Sequence, residues 1–166
     1  MILDRFQLGK KGQGATEYLV LLAVVLIVAM VAIALLGFFP GLAGDAKKAQ
    51  SDQYWRGEAR PFAIVEHAEG SSSTNITLVL QNVDAEQRVL SNVSIGGSGM
   101  NGSYEPSATE AFFSAGEKRT FQVPLSSNCT SGATYEYFVN FTFANSDGSI
   151  ANQKQYGTKT LIGKCS

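Results

Sequence analysis

The pattern of apolar and polar residues divides the chain into two regions of different period. Tyr18 to Phe39 is a run of 22 residues of which only Gly37 is not plainly apolar. A helix of that length, at about 1.5 Å per residue, spans roughly 33 Å and crosses the hydrocarbon core of a bilayer. Because the run has no polar face, such a helix must be covered on every side by lipid or by protein.

The helical pattern continues past the apolar run into a charged segment. Lys48, Asp52 and Arg56 are spaced four apart with alternating sign, which favours a helix. We therefore assign residues 13–58 to one long helix. Pro40 lacks a backbone donor and predicts a kink or a short unwound stretch within that helix.

From residue 59 onward the period changes to two, and apolar side chains alternate with polar ones. Short alternating segments separated by Gly, Ser, Asn and Asp clusters predict strands of a small antiparallel sandwich or barrel. The predicted strands are 62–65, 76–81, 88–95, 120–125, 135–143 and 156–162, and the glycine-rich run at 96–102 is interpreted as a loop. The predicted fold class is α+β, with a long N-terminal hydrophobic helix followed by an Ig-like antiparallel β-sandwich over residues 59–166.

The charge distribution predicts the orientation of the chain in a membrane. Arg5, Lys10 and Lys11 precede the apolar run, so the positive-inside rule places the N-terminus in the cytoplasm and the β region on the exported side. Residues 1–12 are short and basic, as expected of a leader. The formal net charge of −1 indicates no basic surface of the kind that binds nucleic acid.

Two residue types in the exported region are candidates for covalent modification. The two cysteines, Cys129 and Cys165, would pair in an oxidising compartment; two buried free thiols are the alternative. Five Asn-x-Ser/Thr sequons mark candidate N-glycosylation sites, and three of their asparagines fall on the polar faces of predicted strands. The five asparagines are Asn75, Asn92, Asn101, Asn128 and Asn140.

The motif Gly12-Gln13-x-x-x-Glu17-Tyr18 lies at the start of the apolar run. It resembles the class III signal peptide of archaeal type IV pilins, in which glutamine opens the mature chain and Glu-Tyr follows. In that family a membrane prepilin peptidase cuts after the glycine, which here is the bond between Gly12 and Gln13. One departure is Ala15, where many members of the class have serine.

The resemblance implies an assembly role for the helix and its first residues. The carboxylate of Glu17 would pair with the new amine of Gln13, on the same or an adjacent subunit, and Tyr18 completes the assembly motif. The helices would leave the membrane and form the core of a helical homopolymer, an adhesive surface filament coated by the β domains. The implied partners are other copies of the chain, the prepilin peptidase, a membrane platform and an assembly ATPase.

Three alternatives remain open at the level of sequence. A conventional signal peptidase could cut near Ala43, although an ordinary signal peptide has an apolar core of only about 7–15 residues. The chain could also be a single-pass membrane protein that displays its β domain as a monomeric binding module. The third alternative is an archaellin, a subunit of the archaeal swimming filament, but the Gln13/Glu17-Tyr18 pattern favours a pilin.

The sequence contains no combination of residues that predicts catalysis. His67 is the only histidine, and Glu66 and Glu69 are its acidic neighbours. Adjacent residues of a strand point to opposite faces, so we expect a surface histidine and no metal site. We expect no cofactor and no catalytic residue, which indicates a protein that is not an enzyme.

Overall fold

The computed structural model describes residues 13–166, except for the side chains of residues 13 and 38–42. The chain divides into two compact units, with the boundary between Asp45 and Ala46. The predicted leader, residues 1–12, and with it Gly12 of the processing site, lies outside the described residues.

The first unit is formed by most of a single helix, α1, which comprises Gln13–Gln53. Its backbone is helical through Pro40, so the unwound stretch predicted there is absent. Proline removes only one donor, and the backbone bonds on either side can maintain the helix. Within α1, the segment Gly14–Gly37 is long and apolar enough to cross a membrane. A π-helical turn, Tyr54–Glu58, follows α1 directly.

The second unit contains nine strands, which begin immediately after the helical segments. Their order along the chain is β1 (Phe62–Glu69), β2 (Asn75–Asn82), β3 (Arg88–Gly97), β4 (Met100–Tyr104), β5 (Phe112–Phe113), β6 (Lys118–Pro124), β7 (Thr134–Asn145), β8 (Gln153–Tyr156) and β9 (Leu161–Lys164).

The strands form two antiparallel sheets. One sheet has the order β1-β2-β6, and the other has the order β4-β3-β7-β8, with β5 paired to β3 and β9 paired to β7. In an Ig-like sandwich strands A, B and E share one sheet and strands C, F and G share the other. Strands β1, β2 and β6 and strands β3, β7 and β8 have these positions, and β4 lies beside β3. The predicted α+β class and antiparallel β domain are confirmed.

The core between the two sheets is rich in aromatic side chains. Phe62 of β1 makes ring contacts with Phe113, Phe141 and Phe143, all of which belong to strands of the other sheet. Trp55 of the π turn is 1% exposed and packs edge-on against Phe141 at 6.2 Å between ring centroids. Edge-to-face packing of aromatic rings stabilises such a core beyond the area it buries.

The end of α1 belongs to the β unit, not to the apolar helix. Ser51 is 2% exposed. Its hydroxyl donates to the Thr160 carbonyl at 2.7 Å and accepts from the Ile162 N–H at 3.1 Å. Thr160 directly precedes β9 and Ile162 belongs to it, so the Ser51 hydroxyl provides a hydrogen-bond partner for two backbone groups at this strand.

Two predicted segments differ from the structure. The run 96–102, interpreted as a loop, is a tight hairpin whose Gly97 and Met100 pair across a Ser98–Gly99 turn. Both turn residues have positive φ, 49° and 75°, as a type I′ hairpin turn requires. The predicted strand 156–162 is divided into β8 and β9, and Gly157 follows the end of β8. A Cβ at Gly157 would lie 2.6 Å from the Trp55 ring, so a side chain there would clash with the core.

Candidate functional site

The most unusual surface of the described chain is the apolar part of α1. None of the segment Gly14–Gly37 is buried within the chain. Its large apolar side chains are exposed by fractions that range from 42% at Leu22 to 71% at Met30. A folded protein rarely leaves a continuous apolar surface of this size in water. This surface must therefore be covered by lipid or by other protein chains.

Glu17 is the only charged residue of that segment. It lies just over one turn from the start of α1, and its side chain and that of Tyr18 are exposed, the latter by 64%. Residues four apart share one helix face, so α1 places the backbone nitrogen of Gln13 and the Glu17 carboxylate on the same side of the helix.

Comparison with known families identifies this part of the chain. Residues 10–36 match the family model described as class III signal peptide. The chain carries a class III signal peptide. This signal is typical of archaeal type IV pilins and archaellins, and it fits a membrane-inserted precursor that becomes part of a surface filament. No curated protein matches the chain.

The match covers the helix and not the β domain. It supports a secreted filament subunit of the type IV pilin-like or archaellin type, processed by a prepilin peptidase. It also points to a structural protein and not to an enzyme. Because the match ends at residue 36, the role of residues 46–166 must be argued from their own structure.

The expectation that His67 is a surface residue is wrong. Its side chain is 10% exposed, and its Nδ1 lies 2.7 Å from the Tyr135 hydroxyl. The pairing register of β1 shifts between Ile64 and Glu66. Such a bulge reverses the alternation that the sequence implied. His67 and Glu69 consequently point inward, towards the end of α1.

The environment of His67 favours its neutral form. Burial is the main cause that lowers the His67 pKa, and Lys48 and Arg56 act in the same direction; Asp52, 3.8 Å from Nε2, opposes them. A Tyr135 hydroxyl that donates to Nδ1 leaves the imidazole proton on Nε2, which faces Asp52.

Glu69 extends this polar cluster into the core. It is 1% exposed, and its carboxylate accepts a hydrogen bond from the Tyr137 hydroxyl at 3.0 Å. Burial raises the Glu69 pKa, and the Tyr137 bond offsets part of this rise. Within residues 13–166, no three His, Cys, Asp or Glu side chains are grouped so that they could hold a metal ion. We interpret the cluster as a buried polar network that links α1 to β1 and β7.

The structure also places the candidate modification sites. Cys129 and Cys165 form a disulfide with their Cα atoms 6.0 Å apart. The five sequon asparagines are all exposed or half-buried. The side-chain amide of Asn92 donates to the Ser103 hydroxyl at 2.9 Å, and that of Asn128 donates to the Ser71 carbonyl at 2.7 Å.

Sequence reasoning did not find the contacts that Ser51 and Asp52 make with the β domain. Ser51 and Asp52 belong to a segment that has the pattern of an ordinary charged helix. The partner of Ser51 is Thr160, about 110 residues further along the chain, and the partner of Asp52 is His67, about 15 residues further along. The signal available in the sequence was Trp55, a large side chain of the type that is usually buried.

Proposed function

We propose that this chain is the structural subunit, or pilin, of an archaeal type IV pilus-like adhesive surface filament. The observation that carries the proposal is the combination of a class III signal peptide with an apolar helix that has no cover within its own chain. A signal of this class is processed before its apolar segment, so the helix stays attached to the mature protein.

Processing would create the group that Glu17 needs as a partner. Cleavage of the peptide bond between Gly12 and Gln13 leaves a new amine on Gln13, about one turn from Glu17. A carboxylate alone in an apolar bundle is strongly unfavourable. An amine of the same or a neighbouring subunit neutralises it, which fixes the register in which helices enter the filament.

The same helix serves two environments in turn. In the membrane, lipid covers Gly14–Gly37; in the filament, the corresponding segments of neighbouring subunits replace the lipid. Transfer from lipid to bundle leaves the helix apolar surface covered throughout, so no step exposes it to water. The β domains would then form the outer surface, where adhesion takes place. A membrane platform and an assembly ATPase would drive the transfer.

The second candidate function is that of an archaellin. The class III signal peptide is compatible with it, and the assembly principle is the same. We favour the pilin because Gln13 would open the mature chain and Glu17-Tyr18 would follow it. A monomeric membrane-anchored binding module is the third candidate.

Mass spectrometry of the protein isolated from its native membrane and surface tests the proposal. We expect a mature chain that begins at Gln13. A chain that begins at Met1 or near Gly44 would contradict the proposed processing, because the amine that pairs with Glu17 would be absent or the apolar helix would be lost.

A further inference from the structure

The outer face of the larger sheet has two exposed aromatic side chains on adjacent strands. Phe138 of β7 is 59% exposed, and Tyr156 of β8 is 62% exposed. Neither ring takes part in the core between the sheets, to which β7 and β8 contribute other side chains, among them Val139, Phe141 and Gln155. A contiguous exposed apolar surface rimmed by polar residues is a feature of binding sites, which makes the surroundings of these two rings worth describing.

A glycosylation sequon lies between the two rings. Phe138, Asn140 and Thr142 alternate with buried residues of β7 and so share its outer face. Tyr156 is directly opposite Asn140 in the β7–β8 register. Phe138 is therefore a diagonal neighbour of Tyr156, and such positions are separated by about 7–8 Å in an antiparallel pair. Asn140 thus has one aromatic side chain beside it on its own strand and one across from it.

The other flank of β7 leaves room on this face. Gly96 of β3 is opposite Phe138, and Ser94 is opposite Asn140. Glycine has no side chain and serine a short one, so β3 places no bulky group beside the Phe138 ring. A sugar attached at Asn140 can therefore lie along the sheet beside the two aromatic side chains.

The Asn140 carboxamide is oriented for attachment through its nitrogen. The backbone N–H of Gly157 donates to Asn140 Oδ1 at 3.3 Å, which leaves Nδ2 on the opposite side of the carboxamide. Among the hydrogen bonds of residues 13–166, none uses Nδ2 of Asn140, whereas Nδ2 of Asn92 and of Asn128 each donates to a neighbour.

We propose that Asn140 carries an N-linked oligosaccharide whose first sugar packs against Phe138 and Tyr156. The proposal rests on the exported location of the β domain and not on filament assembly. A sugar ring presents an apolar C–H face, and packing it on an aromatic face removes apolar area of both from water. The glycan would therefore act as part of the domain surface and stabilise it.

The modification is a group transfer from an oligosaccharide carried on a lipid phosphate. Nδ2 of Asn140 forms a bond to the anomeric carbon of the first sugar and loses one proton. The bond between that carbon and the phosphate oxygen breaks, and the lipid phosphate leaves with the electron pair. A separate membrane transferase on the exported side would catalyse the step, and the Thr142 hydroxyl completes the sequon.

Glycopeptide mapping of the full chain from its native host tests the attachment. We expect Asn140 to be occupied, Asn140→Gln and Thr142→Ala to abolish occupancy there, and Thr142→Ser to retain it. Asn75→Gln, which removes a sequon on the other sheet, is the matched control and should leave Asn140 occupied. An unmodified Asn140 in the native protein overturns the proposal.

A double-mutant cycle tests the packing. Trp55 is the only tryptophan and is buried, so its fluorescence reports unfolding of the β domain in the detergent-purified full chain. Phe138→Ala should lower the melting temperature by about 3 °C in the glycosylated background and by less than about 1 °C in the Asn140→Gln or Thr142→Ala background. In the Asn75→Gln background the loss should persist. Equal effects in all backgrounds overturn the packing.

The outcomes separate this proposal from the proposed function. Normal filaments with a bare Asn140 would overturn the glycan and leave the filament subunit standing. If Asn140 is bare and Phe138→Ala prevents assembly, the aromatic face belongs to a contact between copies of the chain, and the glycan proposal is wrong.

Discussion

Glu17 is the residue at which the membrane and the filament place opposite demands. At the edge of a bilayer an acidic side chain reaches water or headgroups at small cost, but within a packed bundle it needs a partner. In the proposed function, the carboxylate near the start of α1 and the amine that cleavage before Gln13 would generate about one turn away together meet both demands.

We predict that Glu17→Ala leaves membrane insertion intact and reduces surface filaments by at least about tenfold. Removal of one member of a buried ion pair leaves the other charge uncompensated, which costs about 3–5 kcal/mol. Filament yield by shearing and immunoblotting measures the effect. Asp45→Asn, at the other end of the first unit, is the control and should assemble normally. Normal yield from Glu17→Ala would remove the proposed assembly role.

His67 gives the β domain a dependence on pH that the sequence did not indicate. Its pKa is lowered in the folded state, chiefly by burial, so the unfolded chain binds the proton first as the pH falls below about 6.5. Protonation would also make Nδ1 a donor only, so it could no longer accept from the Tyr135 hydroxyl, which lies 2.7 Å away in the folded domain. The contribution of His67 is thus complete above this pH and is lost during acidification. The raised pKa of Glu69 has the opposite effect on stability, because it destabilises the folded domain as the pH rises above about 4.5.

We predict that, between about pH 7 and pH 5, the unfolding free energy falls less in the His67→Gln variant than in the wild-type protein. The amide of glutamine can still bond to Tyr135 but cannot titrate. Urea unfolding followed by Trp55 fluorescence measures the free energy at each pH, and Glu69 is common to both proteins and cancels in the comparison. Identical pH profiles for the two proteins would show that His67 is not the titrating group.

At the scale of elements, composition and packing divide the chain at different places. The polar end of α1 reads as a continuation of the apolar helix, but Ser51 and the π-turn residue Trp55 are buried in the β unit. Local periodicity identified the helix and most strands. It did not reveal the β1 bulge, because pairing with another strand decides which residues face the core. It also missed the hairpin at Ser98–Gly99, whose turn residues belong to a glycine-rich run interpreted as a loop.

We predict that the fragment 46–166 folds as an independent domain and that the fragment 59–166 is much less stable. Loss of a buried Trp side chain alone costs about 3–5 kcal/mol, and loss of Ser51 leaves two backbone groups without their partner. Chemical denaturation followed by far-UV circular dichroism measures both fragments. Equal stability would show that the α1 end contributes nothing to the β domain.

The disulfide joins the segment before β7 to the residue that follows β9. Closure of a loop with a sequence separation of 36 stabilises the folded state by about 4 kcal/mol in the chain-entropy model. We predict that a reductant lowers the unfolding free energy of the β domain by about this amount. The double variant Cys129→Ser/Cys165→Ser should show the same loss and no further response to reductant. A wild-type protein that is insensitive to reductant would indicate unpaired thiols.

At the scale of the whole molecule, the class of the protein was predictable because its evidence is local. The Gly12-Gln13 and Glu17-Tyr18 pairs and the apolar run lie within residues 10–36, the part that matches the class III signal peptide. The arrangement of the β domain depends on long-range pairing, so composition indicated the antiparallel sandwich but only the structure gave its nine strands. The face that contains Phe138, Asn140 and Tyr156 likewise became visible only through the β7–β8 register.

The central claim is that the exposed apolar helix is the buried core of a filament. Cryo-electron microscopy of sheared surface filaments tests it most directly. We predict filaments built from this chain in which the segments Gly14–Gly37 pack against one another along the axis and the β domains form the outside. Filaments without this chain, or a chain found only as a membrane-anchored monomer with its helix in lipid, would contradict the account.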